Sequence, residues 1–331
     1  MRALVASLAL LSLLLAACGR ERPSHAAPTT TQSEEEAIGG FEEESLSGRI
    51  EADGSSTVAP LVTLAAERFR KQEPGVKITV GVSGTGGGFE RFCAGETDLS
   101  DASRAIEDEE KAACAKKRIA YRELQVANDG LTVAVNPDND WAGCLTVEQL
   151  RKIWEPGSKV DTWKDVDASF PDRNLELFGP GTDSGTFDYF TDAVVGEEGA
   201  SRSDYSATED DNVIVNGVSG SKGALGYIGL SYVEQNKGKL KPLAVDGGDG
   251  CVEPSIETVQ DGSYKPLSRP LFVYAAADAL EERLEVTSFL TFLLENQRSL
   301  ARSALFVPLT EEQATKSLTA VEGAGIDAGA E

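Results

Sequence analysis

Three segments of the chain combine glycine with serine or threonine where a strand pattern gives way to a helix pattern. They span residues 54–57, 83–88 and 179–186. The first N–H groups of a helix lack backbone partners, and the helix dipole adds partial positive charge there. Glycine lets an anion approach the backbone, and hydroxyl groups add donors. One such turn is better explained as a helix cap, but three in one chain favour an oxyanion site built from neutral groups.

These segments lack the signatures of nucleotide-binding loops. None ends in the Gly-Lys-Ser/Thr of a P-loop, and the second fails the GxGxxG pattern because Phe89 stands at its last glycine. The loop after the second segment adds a cation, Arg104. Its planar guanidinium could bind a tetrahedral oxyanion through two hydrogen bonds. The alternative is a surface arginine paired with one of the nearby acids.

The amino-acid composition argues against nucleic-acid binding and against histidine-dependent catalysis. The 331 residues include 31 Lys and Arg against 55 Asp and Glu, a net charge of −24, which excludes a nucleic-acid partner. The one histidine, His25, precedes the first strand pattern, so an imidazole-activated serine or cysteine is excluded from the folded part. Serine–lysine and paired-carboxylate chemistry stay formally open. We expect no enzyme, no cofactor and no metal.

Strand–helix units must position the three segments. In the first, residues 49–52 are predicted to form a strand. Apolar residues at helical spacing begin at Val58 and predict a helix that runs up to Lys71, with Ser56 or Thr57 as its cap. In the second, an alternating strand over residues 76–82 precedes a helix that opens at Phe89. The third repeats this order with a strand over residues 175–178. Such alternation predicts an α/β fold.

The N-terminus reads as a targeting signal. Arg2 is followed by fifteen uncharged residues, whereas a membrane-spanning helix needs about 20. The stretch ends in Leu-Ala-Ala-Cys, which resembles the bacterial lipobox and implies lipidation of Cys18 as the first mature residue. An ordinary signal peptide is the alternative. Residues 19–48 contain two acidic triplets and are predicted to form a disordered tether.

Together the segments resemble the substrate-binding protein of the bacterial high-affinity phosphate (Pst) ABC transporter. The resemblance covers about residues 49–310 in family order and rests on residues 53–60, 83–88, 100–104 and 181–187, with support from residues 153–154, 162–165, 223–227 and 264–270. It implies a two-lobed periplasmic-binding-protein fold of type II that closes on phosphate in the cleft between its lobes.

The resemblance also implies a set of phosphate ligands. They are the hydroxyl-bearing or glycine positions of the three turns: Ser56, Thr57, Thr85, Ser184, Gly185 and Thr186. Family members carry an aspartate after the second helix that accepts the proton of hydrogen phosphate; Ser103 stands at that position here and is kept as a candidate ligand. Their arginine before the third turn is absent. Arg104 is our substitute cation, and Asp129 and Asp183 are our substitute proton acceptors.

We expect lobe one to comprise residues 49–127 and 267–320, and lobe two residues 128–266. Chain crossings near Val126 and Pro266 would form the hinge, and residues 321–331 a loose tail. The aromatic residues Trp154, Trp163 and Tyr227 are expected in the core of lobe two.

Export implies an oxidising compartment, where disulfides persist. Besides Cys18, the mature chain has four cysteines, which allow three pairings: Cys93, Cys114, Cys144 and Cys251. We favour 93–114 and 144–251, because each pair then lies within one lobe. A four-cysteine zinc site is the alternative, but no CxxC spacing supports it.

The expected function is extracytoplasmic capture of inorganic phosphate for import. The expected partners are phosphate, the transmembrane subunits of an ABC permease and the membrane through the lipid at Cys18, with the protein itself a monomer. Capture of sulfate or molybdate and phosphate sensing without transport remain alternatives, with a phosphoester hydrolase more remote. A buried carboxylate favours phosphate, because phosphate keeps a proton near neutral pH and sulfate does not.

Overall fold

A computed structural model describes residues 46–323, so Cys18, His25 and most of the expected tether and tail lie outside it. In chain order the strands are β1 (Ser47–Gly54), β2 (Gly75–Val80), β3 (Leu99–Ala102), β4 (Tyr121–Val135), β5 (Cys144–Thr146), β6 (Glu176–Pro180), β7 (Ser206–Thr208), β8 (Ala224–Gly229), β9 (Lys241–Pro242), β10 (Ala244–Asp246), β11 (Cys251–Val252) and β12 (Ser268–Ala276).

The helices alternate with these strands over most of the chain. They are α1 (Ala59–Phe69), α2 (Gly84–Cys93), α3 (Asp108–Lys117), α4 (Val147–Trp154), α5 (Trp163–Val166), α6 (Gly185–Phe190), α7 (Asp211–Gly220), α8 (Leu230–Gln235), α9 (Ile256–Gln260), α10 (Ala277–Glu282), α11 (Leu284–Glu295), α12 (Gln297–Ser303) and α13 (Glu311–Val321), with a π-helical segment (Thr191–Val195) directly after α6. Within residues 46–323 no helix has the length and apolar character needed to cross a bilayer.

A mixed sheet runs through the molecule in the order β2-β1-β3-β12-β4-β8-β6-β7, with β9 beside β4. Strand β1 is parallel to β2 and β3, and β6 is parallel to β7 and β8. Strand β12 is antiparallel to β3 and β4. A small second sheet has the order β11-β10-β5. The α/β expectation is therefore confirmed, and the carboxyl ends of β1 and β3 lie side by side next to the first turn.

Two large hydrophobic clusters form most of the core. The first is drawn from residues 50–127 and 271–321, and the second mainly from residues 131–267. Strand β4 serves both, because its first half pairs with β12 and its second half with β8. Val307 packs in the second cluster although it follows β12 in the chain. The lobe boundaries and the hinge stay predictions.

The expected aromatic core of the second half is confirmed. Trp154, Trp163 and Tyr227 are fully buried in the second cluster. The ring of Tyr227 stacks on Phe190 with centroids 3.7 Å apart, and Trp154 meets it edge-on at 4.8 Å. The Trp163 indole N–H donates to the carbonyl of Gly223 at 2.9 Å, which satisfies its one polar atom inside the core.

The favoured disulfide pairing is confirmed. Cys93 is bonded to Cys114, and Cys144 to Cys251. The first bond joins α2 to α3, and the second joins β5 to β11. Neither bond links the two large clusters. Within the described residues no group of three or more histidine, cysteine or acidic side chains is arranged to hold a metal ion.

Candidate functional site

A cleft of about 540 Å³ opens where the first two turns meet the second half of the chain. Five of the expected ligands line it: Ser56, Thr57, Thr85, Ser103 and Arg104. The second half of the chain contributes Asp188, Tyr189, Asp192 and Glu198, and the segment around the start of β12 contributes Pro266, Ser268, Arg269 and Pro270. The cleft lining therefore combines hydroxyl groups, two arginines and three acidic side chains.

In the first turn, Ser56 and Thr57 line the cleft, and their side chains do not cap helix α1. The N–H of Thr57 donates to Oγ of Ser55 at 3.2 Å, and helix α1 has Val58 at its N-cap with no side-chain cap. The expectation that Ser56 or Thr57 caps α1 is therefore wrong, because Ser55 makes the local bond instead. Gly54 has φ +147°, and a Cβ there would clash with the backbone of Asp101. The sharp turn thus requires glycine.

The second turn is helical, which corrects the expectation of a glycine loop before Phe89. Helix α2 begins at Gly84, and Gly84, Thr85 and Gly86 line the cleft from its first turn. Oγ1 of Thr85 accepts from the N–H of Ser103 at 3.2 Å and lies 3.1 Å from the Ser103 hydroxyl. The positive end of α2 and two hydroxyl groups therefore lie together at the cleft wall.

The third turn lies against the first. Ser184 is the N-cap of α6, and its Oγ accepts from the N–H of Thr186 at 3.2 Å. A Cβ on Gly185 would lie 2.5 Å from Oγ1 of Thr57, so the two turns meet there. Residues 183–186 are not among those lining the cleft. Asp183 is exposed, and its backbone N–H donates to Glu209 at 3.4 Å.

Arg104 lies at the cleft wall already paired with acids. Its two terminal nitrogens each donate to Glu110 at 2.8 Å, and its Nε lies 3.2 Å from Glu107. The hydrogen bonds to Glu110 raise the pKa of the guanidinium, against a lowering by burial. The side chain is 37% exposed. Both sequence interpretations of Arg104 therefore describe it: it faces the cleft, and it is bound to neighbouring acids.

A second arginine, Arg269, was assigned no role from the sequence. Its Nε and Nη2 both lie 3.3 Å from Oδ2 of Asp129, and Nη2 donates to Oγ1 of Thr57 at 3.0 Å. Its guanidinium carbon lies 3.7 Å from the ring centroid of Tyr189. The available signal was its place in residues 264–270, next to the expected chain crossing at Pro266.

Asp129, a candidate proton acceptor, is buried beside that arginine. Burial raises the pKa of its carboxyl, while the charge and hydrogen bonds of Arg269 lower it. In the same cleft, burial and then the charge of Glu198 raise the pKa of Asp188, while the charge of Arg269 lowers it.

Asp101 was also missed, although it lies within residues 100–104. Its carboxyl is fully buried, and neither oxygen has a hydrogen-bond partner in the part of the chain that the structure describes. Burial, and then the charge of Asp53, raise its pKa to about 8. Asp101 pairs with Gly54 in the β1–β3 register, directly before the first turn. Burial therefore favours the neutral form of this carboxyl group, next to the first turn.

Comparison with known proteins agrees with this architecture. Residues 25–297 match the PBP superfamily domain. Protein SphX from Synechococcus elongatus is 48% identical over 263 residues, which cover 78% of this chain and 77% of the relative. The phosphate-binding protein PstS from Staphylococcus haemolyticus is 43% identical over 270 residues, covering 81% of this chain and 83% of the relative.

A solved structure extends the likeness to three dimensions. The crystal structure of a possible phosphate binding protein from Planctomyces limnophilus superposes with a TM-score of 0.80 at 46% identity, covering 85% of this chain and 99% of that one. The fold is thus the two-lobed α/β fold of periplasmic binding proteins, as the resemblance implied. The chain belongs to the PBP superfamily, within the family of the PstS and SphX proteins.

Proposed function

We propose that this protein binds inorganic phosphate outside the cytoplasm and delivers it to an ABC permease for import. The observation that carries the proposal is the position of the first turn: it meets the third turn at Thr57, and it shares with the second turn a cleft that Arg104 and Arg269 also line. Donors of this kind stabilise an oxyanion and offer little to an apolar ligand. The names of the PstS relatives agree with phosphate as the ligand.

In this proposal the anion is bound from both halves of the chain. The first half provides Ser56, Thr57, Thr85, Ser103 and Arg104 from the cleft wall. The third turn provides Ser184, Gly185 and Thr186, which the contact between Gly185 and Thr57 brings next to the first turn. Donors from two halves favour a cleft that closes on its ligand about the crossings near Val126 and Pro266.

The proton of hydrogen phosphate needs an acceptor. Of the two candidates, Asp129 is buried next to Arg269, whereas Asp183 is exposed. A buried carboxylate discriminates better, because a fully deprotonated anion leaves it facing like charge without water. We therefore assign the acceptor role to Asp129.

We further propose that the protein is a monomer anchored to a membrane. Lipidation at Cys18 would hold a monomer at the outer face of a membrane, where its closed form would meet the permease. The cleft would bind its ligand without catalysis, in keeping with the PstS relatives, which are named for phosphate binding.

Thermal unfolding of the phosphate-stripped mature chain tests the proposal. Phosphate at about 100 times its dissociation constant should add about 2.7 kcal/mol of stability, and sulfate at the same concentration should add much less. An equal or larger shift with sulfate would replace the substrate with another oxyanion. No shift with either anion would contradict an oxyanion site in this cleft.

A further inference from the structure

We propose that Arg269 supplies the positive charge that binds the anion, and that Asp129 and Tyr189 hold its guanidinium in place. The inference rests on the proposed function, since it names the cation of that same cleft. It replaces the charge that family members carry before the third turn, where residues 179–181 have none. The replacement comes from the other end of the chain, at the entrance to β12.

The hydrogen bonds of Arg269 fix one edge of its guanidinium and leave the other available. Nε and Nη2 are engaged by Asp129 and Thr57. Nη1 has no hydrogen-bond partner within residues 46–323, and Arg269 lines the cleft. The side chain is only 15% exposed. A charge so shielded from water attracts an anion more strongly than one on the surface.

Tyr189 fixes the plane of the guanidinium. Its ring lies 3.7 Å from the guanidinium carbon of Arg269, a stacked cation–π contact. The ring is itself anchored, because the Tyr189 hydroxyl donates to the carbonyl of Pro266 at 2.6 Å. Arg269 is thus held by a carboxylate at its edge and a ring at its face. Little conformational freedom remains to be lost when an anion binds.

Arg104 is less suited to this role. All three of its nitrogens are engaged by Glu107, Glu110 or the carbonyl of Ala105. Two carboxylates lie at ion-pair distance from Arg104, whereas Arg269 has one carboxylate at that distance, Asp129, and a weaker interaction with the charge of Asp188. Its side chain is also more than twice as exposed, at 37% against 15%. We therefore infer that Arg104 shapes the cleft wall and contributes less of the attraction for the anion.

Arg269 also contacts both halves of the molecule. Its partner Thr57 belongs to the turn that leads into the first cluster, and Tyr189 belongs to the second cluster. An anion bound to Arg269 is therefore linked to both walls at once. Loss of this side chain should cost more affinity than loss of a donor from one wall.

Calorimetric titration of the mature chain with inorganic phosphate tests the inference. Arg269→Ala should weaken phosphate binding at least about 100-fold, and Arg269→Lys should recover part of that loss. Arg104→Ala should weaken it less than tenfold. Arg151→Ala is the matched control, because Arg151 is half exposed and pairs with Glu155 on α4, away from the cleft; its affinity should be unchanged.

The two positioning residues are tested by conservative rescue. Tyr189→Leu removes the ring and should weaken binding, whereas Tyr189→Phe keeps the ring and should restore most of the affinity. Asp129→Ala should likewise be worse than Asp129→Asn, which keeps an oxygen acceptor for Arg269. If both members of each pair behave alike, these residues do not act through the guanidinium.

The outcomes separate the inference from the proposed function. If wild type binds phosphate and Arg269→Ala binds it within threefold, Arg269 is not the cation and the inference fails alone. If wild type binds no phosphate, the proposed function itself fails. Should Arg269→Ala not fold, Arg269→Lys decides instead. Wild-type affinity of Arg269→Lys with unchanged salt dependence would show that a point charge suffices. It would overturn the role assigned to the planar guanidinium stacked on Tyr189.

Discussion

At the scale of single residues, local pattern indicated the hydroxyl groups that line the cleft, but it did not indicate the contact between Arg269 and Thr57. Ser56, Thr57 and Thr85 lie in glycine-rich segments whose local pattern indicates a helix N-terminus. Arg269 meets Thr57 across 212 positions of sequence. That contact depends on β12 lying between β3 and β4, and strand neighbours so far apart in the chain leave no local signal.

Asp101 shows the same limit, and its burial has a consequence for stability. An aspartate in the unfolded chain titrates near pH 3.9, whereas the folded pKa of Asp101 is about 8. Between these values the folded protein holds one more proton than the unfolded chain. Its contribution to stability is thus complete below about pH 4. It falls as the pH rises towards 8, by up to about 1.4 kcal/mol per pH unit.

We expect Asp101→Asn to flatten that decline, because the amide stays neutral at every pH. Urea unfolding of both proteins at pH 5 and pH 8, without phosphate, measures the effect. Asp129 and Asp188, whose pKa values are also raised, are present in both proteins, so the difference reports Asp101. An equal decline in the two proteins would show that Asp101 is ionised in the folded state.

At the scale of elements, the glycine run of residues 84–88 is the instructive case. Its composition is typical of a loop, since glycine disfavours helix by about 1 kcal/mol. Helix α2 nevertheless begins there, because glycine allows the helix to pack closely against the first turn. A Cβ on Gly88 would lie 2.5 Å from Cα of Gly54 and 2.9 Å from the carbonyl of Asp53. Tertiary contact thus overrides local propensity, which the sequence pattern alone could not indicate.

Gly88→Ala should therefore destabilise the protein by about 1–3 kcal/mol and weaken phosphate binding, because backbone atoms cannot rotate away from the new methyl group. The start of α2 would shift from β1 and take Thr85 with it. Gly143→Ala is the matched control, since a Cβ there has no neighbour within 4 Å among the described residues. Urea unfolding and phosphate titration of the two variants provide the comparison; equal behaviour would contradict the packing account.

At the scale of the whole molecule, the family resemblance implied two lobes, but the sequence pattern did not indicate that one sheet runs through both cores. We expected two lobes joined by chain crossings. The structure has one sheet that continues through β3, β12, β4 and β8, with β4 shared by both sides. Both clusters belong to one compact unit. A fifteen-residue strand that serves two cores could not be divided from its pattern, because it is buried along almost all of its length.

Each disulfide stabilises one side of this arrangement. The Cys144–Cys251 bond spans 107 positions and the Cys93–Cys114 bond spans 21. Chain entropy then predicts losses of about 5 and about 3 kcal/mol when each pair is replaced by serine. Urea unfolding of the two double variants measures the losses. Phosphate affinity at 25 °C should stay unchanged, since none of these cysteines lines the cleft; the reverse order of stability would contradict the entropic account.

The placement of the tryptophans confines the tryptophan fluorescence of the protein to its second half. The chain has three, and Trp141, Trp154 and Trp163 all lie in the second cluster or against it. Emission excited at 295 nm therefore reports the second half alone, while circular dichroism reports helices on both sides. Different unfolding midpoints by fluorescence and by circular dichroism would show that the first half unfolds on its own. Coincident curves would show that the shared strand makes the halves melt together.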